Sequence, residues 1–379
     1  MLLLLIILLL LAPVTAQEKI VPCPPEYVQI PDKQLPGEDP YEIAKPVFSN
    51  KNDYVAAFFH TTKVFTVWEV KTGQVVAQIP DSVHGLDACD GLEFTDDGKQ
   101  LIVMRNFLPF KYIDWKEGKV TRSIDMAADP KKILSYAFSP TKDLVALGTY
   151  DGIQVWDLKS GTKIKHYYKG LAISGLDLIY YKTKEGKLVR LLAYGRAIMP
   201  PDLKWKNVAG VMNLDTGKDT PLLNDIPADK KVEDTMCFFW VQFDYSASYV
   251  LVSYSVFPPK VKAGVYLIDT WTGKYLANQQ LGQNVVKFNN VKYLWKPFYG
   301  YTVTTADMSD PQVPYKVATQ FLVITKERGL QVIDTIDEKV LPAFGVRYSQ
   351  DYTLAAVALK KDQMDTCKLW LYRLVPKKK

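Results

Sequence analysis

Histidine and cysteine are both scarce in this chain: three of the first and four of the second. His60, His84 and His166 stand far apart, without metal-ligand spacing, so a histidine-built metal or quinone centre is not expected. Cys23, Cys89, Cys237 and Cys367 are too few and too dispersed for a disulfide scaffold. There is no Gly-rich phosphate loop and no Gly-x-Ser-x-Gly elbow, which removes the usual marks of a nucleotide fold and a serine hydrolase. Asn-x-Ser/Thr is missing too, so N-glycosylation is not expected. After the N-terminus no apolar run approaches the ~18 residues of a membrane-spanning helix. Charge is nearly balanced, 47 Lys and Arg against 41 Asp and Glu, net +6. A nucleic-acid binder concentrates its cations on one face, so no nucleic-acid partner is expected. Lys377, Lys378 and Lys379 read as a solvated tail.

What is present begins at Met1. An apolar core, Leu2 to Leu11, leads to Pro13 and then Val14-Thr15-Ala16, small residues of the kind a signal peptidase accepts. Residues 1–16 are therefore expected to be a cleaved signal peptide. The core is about half the length of a bilayer-spanning helix, so no stable membrane insertion is expected after cleavage. The mature product should be secreted or periplasmic, in a compartment that permits disulfides.

From there the chain repeats itself. Five apolar, β-prone runs end in the same kind of turn: Trp68-Glu69-Val70-Lys71-Thr72-Gly73, Ile113-Asp114-Trp115-Lys116-Glu117-Gly118, Trp156-Asp157-Leu158-Lys159-Ser160-Gly161, Met212-Asn213-Leu214-Asp215-Thr216-Gly217 and Ile268-Asp269-Thr270-Trp271-Thr272-Gly273. Weaker copies follow at Ile333-Asp334-Thr335 and Leu371-Tyr372-Arg373. A motif returning at such intervals marks a repeat architecture. The third repeat shows the grammar best. Tyr136 to Pro140 is a short strand entering a turn, Leu144 to Gly148 a second strand, and Tyr150-Asp151-Gly152 a tight turn. Ile153 to Asp157 is a third strand, and Thr162-Lys163-Ile164 begins a fourth. One small antiparallel sheet cannot bury both faces alone. Several stacked around an axis can.

Phe138-Ser139-Pro140 with Val155-Trp156-Asp157 resembles the WD-repeat pattern. Val265 to Lys274 is similar to the YVTN form. The resemblance is to WD-repeat and YVTN-type β-propellers and runs from Val47 to Leu374, without the Gly-His dipeptide of the WD-repeat class. Seven recurrences imply an all-β, seven-bladed β-propeller. Its last sheet falls one strand short, and Glu26 to Ile30 is the natural donor. Closing the ring that way removes an exposed edge. The expected organisation is residues 17–46 as an N-terminal extension with the closing strand and 47–379 as the propeller, all one domain.

Longer gaps locate insertions. Arg196 to Asn207 and Val256 to Lys262 fall between the second and third strands of neighbouring repeats. Asp307 to Tyr315 lies in a less regular sixth repeat. Trp205, between Lys204 and Lys206 and with Arg196, Lys260 and Lys262 expected nearby, forms the candidate partner-binding surface, since Trp and Arg anchor interfaces. A protein or glycan is the expected partner, and no cofactor is expected. The alternative is a propeller-type hydrolase or lactonase holding Ca²⁺ at the channel mouth. Its ligands would come from Asp87, Asp90 and Asp234, within acidic loops that also hold Asp81, His84, Glu93, Asp125, Asp129, Asp229 and Glu233. Cys23 and Cys367 are a candidate disulfide on adjacent strands. Cys89 and Cys237, in different repeats, are expected to be buried thiols.

Overall fold

The computed structural model describes residues 27–39, 43–81, 91–104, 110–125, 133–198, 208–226, 237–244, 247–256, 262–283, 289–291, 299–307, 316–325, 329–338, 341–349, 353–360 and 366–376. Among these residues there are twenty-eight β-strands and no helix. β1 (Tyr27–Asp39) precedes the first sheet, which holds β2 (Ile43–Phe48), β3 (Tyr54–Phe59), β4 (Val64–Glu69) and β5 (Val75–Pro80). The second holds β6 (Gly91–Phe94), β7 (Gln100–Met104), β8 (Phe110–Asp114) and β9 (Lys119–Ile124). The third holds β10 (Ile133–Phe138), β11 (Leu144–Thr149), β12 (Gly152–Asp157) and β13 (Thr162–Tyr167). An eight-stranded sheet follows: β14 (Ile173–Lys182), β15 (Leu188–Ile198), β16 (Ala209–Asn213), β17 (Asp219–Leu222), β18 (Cys237–Phe243), β19 (Tyr249–Val256), β20 (Lys262–Asp269) and β21 (Tyr275–Gln283). Then come β22 (Asn289–Val291), β23 (Tyr299–Asp307), β24 (Lys316–Thr325) and β25 (Gly329–Glu338). The last sheet combines β26 (Leu341–Tyr348), β27 (Leu354–Lys360) and β28 (Cys367–Pro376) with β1, in the order β1-β28-β27-β26. Four-stranded antiparallel sheets of this kind are what propeller blades require.

Two turns recur, each for a chemical reason. At the first, the glycine adopts positive φ and its N–H donates to the carbonyl four residues back. Gly73 donates to Glu69 (2.7 Å), Gly118 to Asp114 (2.8 Å), Gly161 to Asp157 (2.9 Å), Gly217 to Asn213 (2.8 Å) and Gly273 to Asp269 (2.9 Å). The Asp or Asn side chain accepts further amides of the turn, as Asp269 Oδ1 does from Trp271 and Thr272. The second turn joins the first two strands of a sheet. Ser49, Thr95, Ser139 and Ser349 each use a side-chain hydroxyl to accept the amide five residues on, and Asp244 does so with its carboxylate. The segments Phe48-Ser49, Phe94-Thr95, Phe138-Ser139, Phe243-Asp244 and Tyr348-Ser349 are thus a second repeat, of which only Phe138-Ser139-Pro140 stood out in the sequence.

Where a repeat has both turns, they fall at the same end of its strands. Neighbouring sheets keep those ends together. Asn50 Nδ2 donates to the Asp96 carbonyl at 2.9 Å and the Tyr180 hydroxyl donates to Asp143; within the eight-stranded sheet, the Trp271 and Tyr181 rings pack 5.2 Å apart. Apolar clusters fill the spaces between sheets. Phe58, Phe65 and Val67 of the first sheet pack with Phe94, Leu101 and Trp115 at the second. The second meets the third through Met104, Phe110, Val145 and Trp156. The third meets β14 and β15 through Val155, Ile173, Leu178 and Leu192. Val55, Ala57 and Trp68 of the first sheet pack with Leu369 and Leu371 of the last, and with Leu35 of β1.

β1 does pair with β28, from Tyr27 opposite Pro376 to Asp39 opposite Cys367. It also grips the first sheet. The Trp68 indole donates to the Pro36 carbonyl at 2.9 Å, Lys33 Nζ to the Val70 (3.1 Å) and Lys71 (2.8 Å) carbonyls, and Asp39 accepts from the Thr61 amide and hydroxyl, both at 2.7 Å. Pro31 and Pro36 are tolerated because β1 is an edge strand.

Three expectations need correction. The first sheet begins at Ile43, ahead of the expected boundary at 47. Ile333-Asp334-Thr335 lies inside β25 and not at a turn, since no glycine stands four residues after Asp334 to close one. The fourth and fifth repeats are fused into one sheet. β15 outruns β16 to Ile198, and its tail pairs with β18 at Ala197–Phe238 and Ile198–Cys237. Gly175 and Gly195 permit this approach. A Cβ there would lie 2.5 Å from Trp240 Cα and from the Phe239 oxygen.

Candidate functional site

Several of the sheets border a common space among the described residues. A cavity of about 580 Å³ is lined by residues of β6, β10, β14, β18 and β26. β6, β10, β14 and β26 are edge strands of their sheets.

Among the described residues, its charged side chains are Glu93, Lys142 and Arg347. Glu93 Oε1 accepts from Arg347 Nη2 at 3.0 Å and Oε2 from Lys142 Nζ at 3.3 Å. These residues come from β6, the turn after β10, and β26. Lys142 Nζ also sits 5.3 Å above the Phe138 ring. Glu93 and Lys142 are largely buried, while the Arg347 side chain is 40% exposed. Glu93, expected in an acidic loop, is therefore a strand residue clamped by two cations, which leaves it poorly suited to a metal.

The wall between β14 and β18 is tightly built. Ser174 Oγ donates to the Phe239 carbonyl at 2.8 Å and accepts the Phe239 amide at 3.2 Å. Asp177, buried, accepts the Phe243 amide at 2.9 Å. Gln242 and Trp240 complete that side. Away from the cavity, the Tyr168 and Tyr194 hydroxyls both donate to Asp219 Oδ2. Burial first, then Tyr194 and the Asp219 carboxylate, push the Tyr168 phenol far above its ordinary pKa. Asp143 goes the other way. Burial raises it, but hydrogen bonds from Ser139, Thr141 and Tyr180 together hold its carboxyl below the usual range.

The expected binding residues are placed only in part. Arg196 is a correction: β15 runs through it, its amide donates to the Val208 carbonyl at 2.8 Å, and it is 7% exposed, so it is not a loop cation. Lys262 begins β20, opposite Val256. Lys204, Trp205, Lys206 and Lys260 lie outside the described residues, as do Asp87, Asp90 and Asp234. Cys237 is buried. Cys23 lies outside the described residues, and Cys367 is buried opposite Asp39, at the end of β28 away from Tyr27. That end is roughly 30 Å of strand from the partner of Tyr27.

Trp271 was not foreseen as a surface feature. It is 48% exposed, at a turn position where the sister turns carry Lys71, Lys116, Lys159 and Asp215. Aligning the five turns is the signal that finds it. No protein-family model matches this chain, and no curated protein matches it either.

Proposed function

We propose that the chain is an exported seven-bladed β-propeller, closed by its N-terminal strand, that acts as a non-catalytic binding or assembly module for a protein or glycan. One observation carries the reading: the two ends of the sheets differ. At the turn end the connections are short and nearly uniform, such as 49–53, 95–99, 139–143 and 244–248 between first and second strands. At the opposite end they range from 150–151 to 199–208 and 223–236. Segments 257–261 and 308–315 also leave from that opposite end. A uniform end serves the scaffold, and a variable end on a rigid scaffold is where recognition is built.

Trp205, within 199–208, is the anchor in this reading, with Lys204, Lys206, Lys260 and Lys262 around it. Pull-down from the native extracellular or envelope fraction supplies the partner. Trp205→Ala then weakens that capture and leaves the melting temperature unchanged. A variant that unfolds, with full capture by whatever remains folded, removes Trp205 from the interface. N-terminal sequencing of the exported protein should begin at Gln17.

A further inference from the structure

We infer that Tyr168 and Tyr194 form an oxidative cross-linking site, at which a one-electron oxidant of the haem-peroxidase class couples the two rings into a dityrosine. Their ring centroids lie 4.6 Å apart, with the planes tilted by 39°. Both hydroxyls donate to the same carboxylate oxygen, Asp219 Oδ2. Hydroxyls that converge on one atom bring together the ring edges beside them, and those edges carry the ortho carbons that couple. The pair is held in place. Tyr168 lies in the connection from β13 to β14 at a φ of 53°, and its carbonyl accepts the Leu171 amide at 3.1 Å. Gly210 leaves room for the Tyr194 hydroxyl, since a Cβ there would lie 2.4 Å from it.

A neutral phenol loses its hydroxyl proton along with the electron, so a base must stand at the hydroxyl. Asp219 is that base, and among the described residues its carboxylate accepts hydrogen bonds from these two phenols alone. Tyr168 is half-buried and meets the oxidant, while Tyr194 is 1% exposed. Tyr168 gives one electron to the oxidant and its proton to Asp219. Tyr194 then passes an electron to Tyr168 across the ring contact and a proton through the carboxylate, and becomes the radical. Tyr168 is oxidised a second time. The two radicals form one carbon–carbon bond, and the hydrogens on the bonded carbons are replaced by hydrogens on the two oxygens. Two electrons reach the oxidant and two protons reach solvent. The bond ties the chain between β13 and β14 to β15. Cys237 and Cys367 are free thiols, so a covalent tie at these tyrosines does not duplicate one at either cysteine.

The site is independent of the loop reading, because none of its residues lies in 199–208 or 257–261. The test is photo-oxidation of the mature protein by tris(bipyridine)ruthenium with persulfate, a one-electron oxidant, followed by peptide mapping. The folded protein should yield dityrosine fluorescence and one linked pair of peptides, joined at Tyr168 and Tyr194 and lighter than its parts by two hydrogens. In urea the yield of that pair should fall at least about tenfold, because the two rings are no longer held together. Tyr168→Phe should remove the pair. Asp219→Asn should slow its formation at least about tenfold, since an amide still accepts a phenol hydrogen bond but is no base; a merely structural role for Asp219 predicts an unchanged rate in the folded variant. The urea comparison uses the unaltered sequence and so decides the matter even if Asp219→Asn does not fold. The inference is overturned by any of three results: no link between Tyr168 and Tyr194, an equal yield in urea, or an unchanged rate in folded Asp219→Asn.

Discussion

Leu35→Ala tests whether the N-terminal strand holds the molecule together. Leu35 is fully buried, packed with Val55, Trp68, Leu369 and Leu371, side chains of the first and last sheets. Its neighbours on β1, Gln34 and Glu38, are exposed. The side chain therefore fills the seam that β1 closes, where a cavity cannot collapse without moving two sheets. A Leu→Ala change in such a setting costs about 3 kcal/mol, within a range of roughly 2–5. With an unfolding entropy near 0.7 kcal/mol/K for ~350 residues, that is a fall of about 4 °C in Tm.

The assay is scanning calorimetry with urea denaturation followed by tryptophan fluorescence. Trp68 donates to the Pro36 carbonyl and so reports on the same seam. Gln34→Ala is the control, an exposed change expected to stay within about 0.5 kcal/mol. Limited proteolysis should cut within β1 sooner in Leu35→Ala than in the control. If Leu35→Ala behaves like Gln34→Ala in all three measurements, β1 is an ornament on the last sheet and the closure argument fails.

Gly195→Ala should destabilise by about 3 kcal/mol, because its Cβ meets backbone of Phe239 that cannot step aside. Gly118→Ala meets nothing within 4 Å and should lose only the left-handed preference, about 1–2 kcal/mol; equal losses in denaturant melts would refute the steric account. Burial pushes the phenols of Tyr254 and Tyr372 up to about 12, with Tyr168, Tyr194 and Tyr266 also raised. The unfolded chain then releases these protons first, so their contribution is intact below about pH 10 and is lost as pH climbs toward 12. Absorbance titration should show a tyrosine fraction ionising late, together with loss of fold; complete ionisation near pH 10 in a folded protein would contradict it. Adding Ca²⁺ or EDTA should leave the melting temperature where it is, and a shift of several degrees would favour a metal site at Asp87, Asp90 and Asp234 instead.

What could be read from the sequence was what a turn writes into it. A left-handed residue needs glycine, and the amides of a four-residue loop need an Asp or Asn acceptor, so Asp157-Leu158-Lys159-Ser160-Gly161 announces itself. The pairing of β1 with β28 was legible for a different reason: Glu26 to Ile30 was a β-prone segment left outside the repeats. The Ser49-type turn was equally present but hidden, because Ser, Thr and Asp interchange there. The fusion of β15 with β18 was not legible. It depends on how far one strand overruns its neighbour, which no local residue states.

The cavity marks the limit of such reading, and the reason is topological. Glu93 and Lys142 are 49 residues apart in the chain, and Glu93 and Arg347 254 apart. Each is unremarkable in its own repeat. Only the packing of sheets around a shared space gives them a common address. The same arrangement explains why a repeat can carry chemistry without showing it. Turn residues recur wherever a sheet uses the same hydrogen bonds at the same end. Inner-strand side chains need not, since each faces the space only once. Departures from the repeat, such as Glu93 on an inner strand or Trp271 at a turn tip, are therefore where function is to be sought in this chain, and agreement with the repeat is where stability is written.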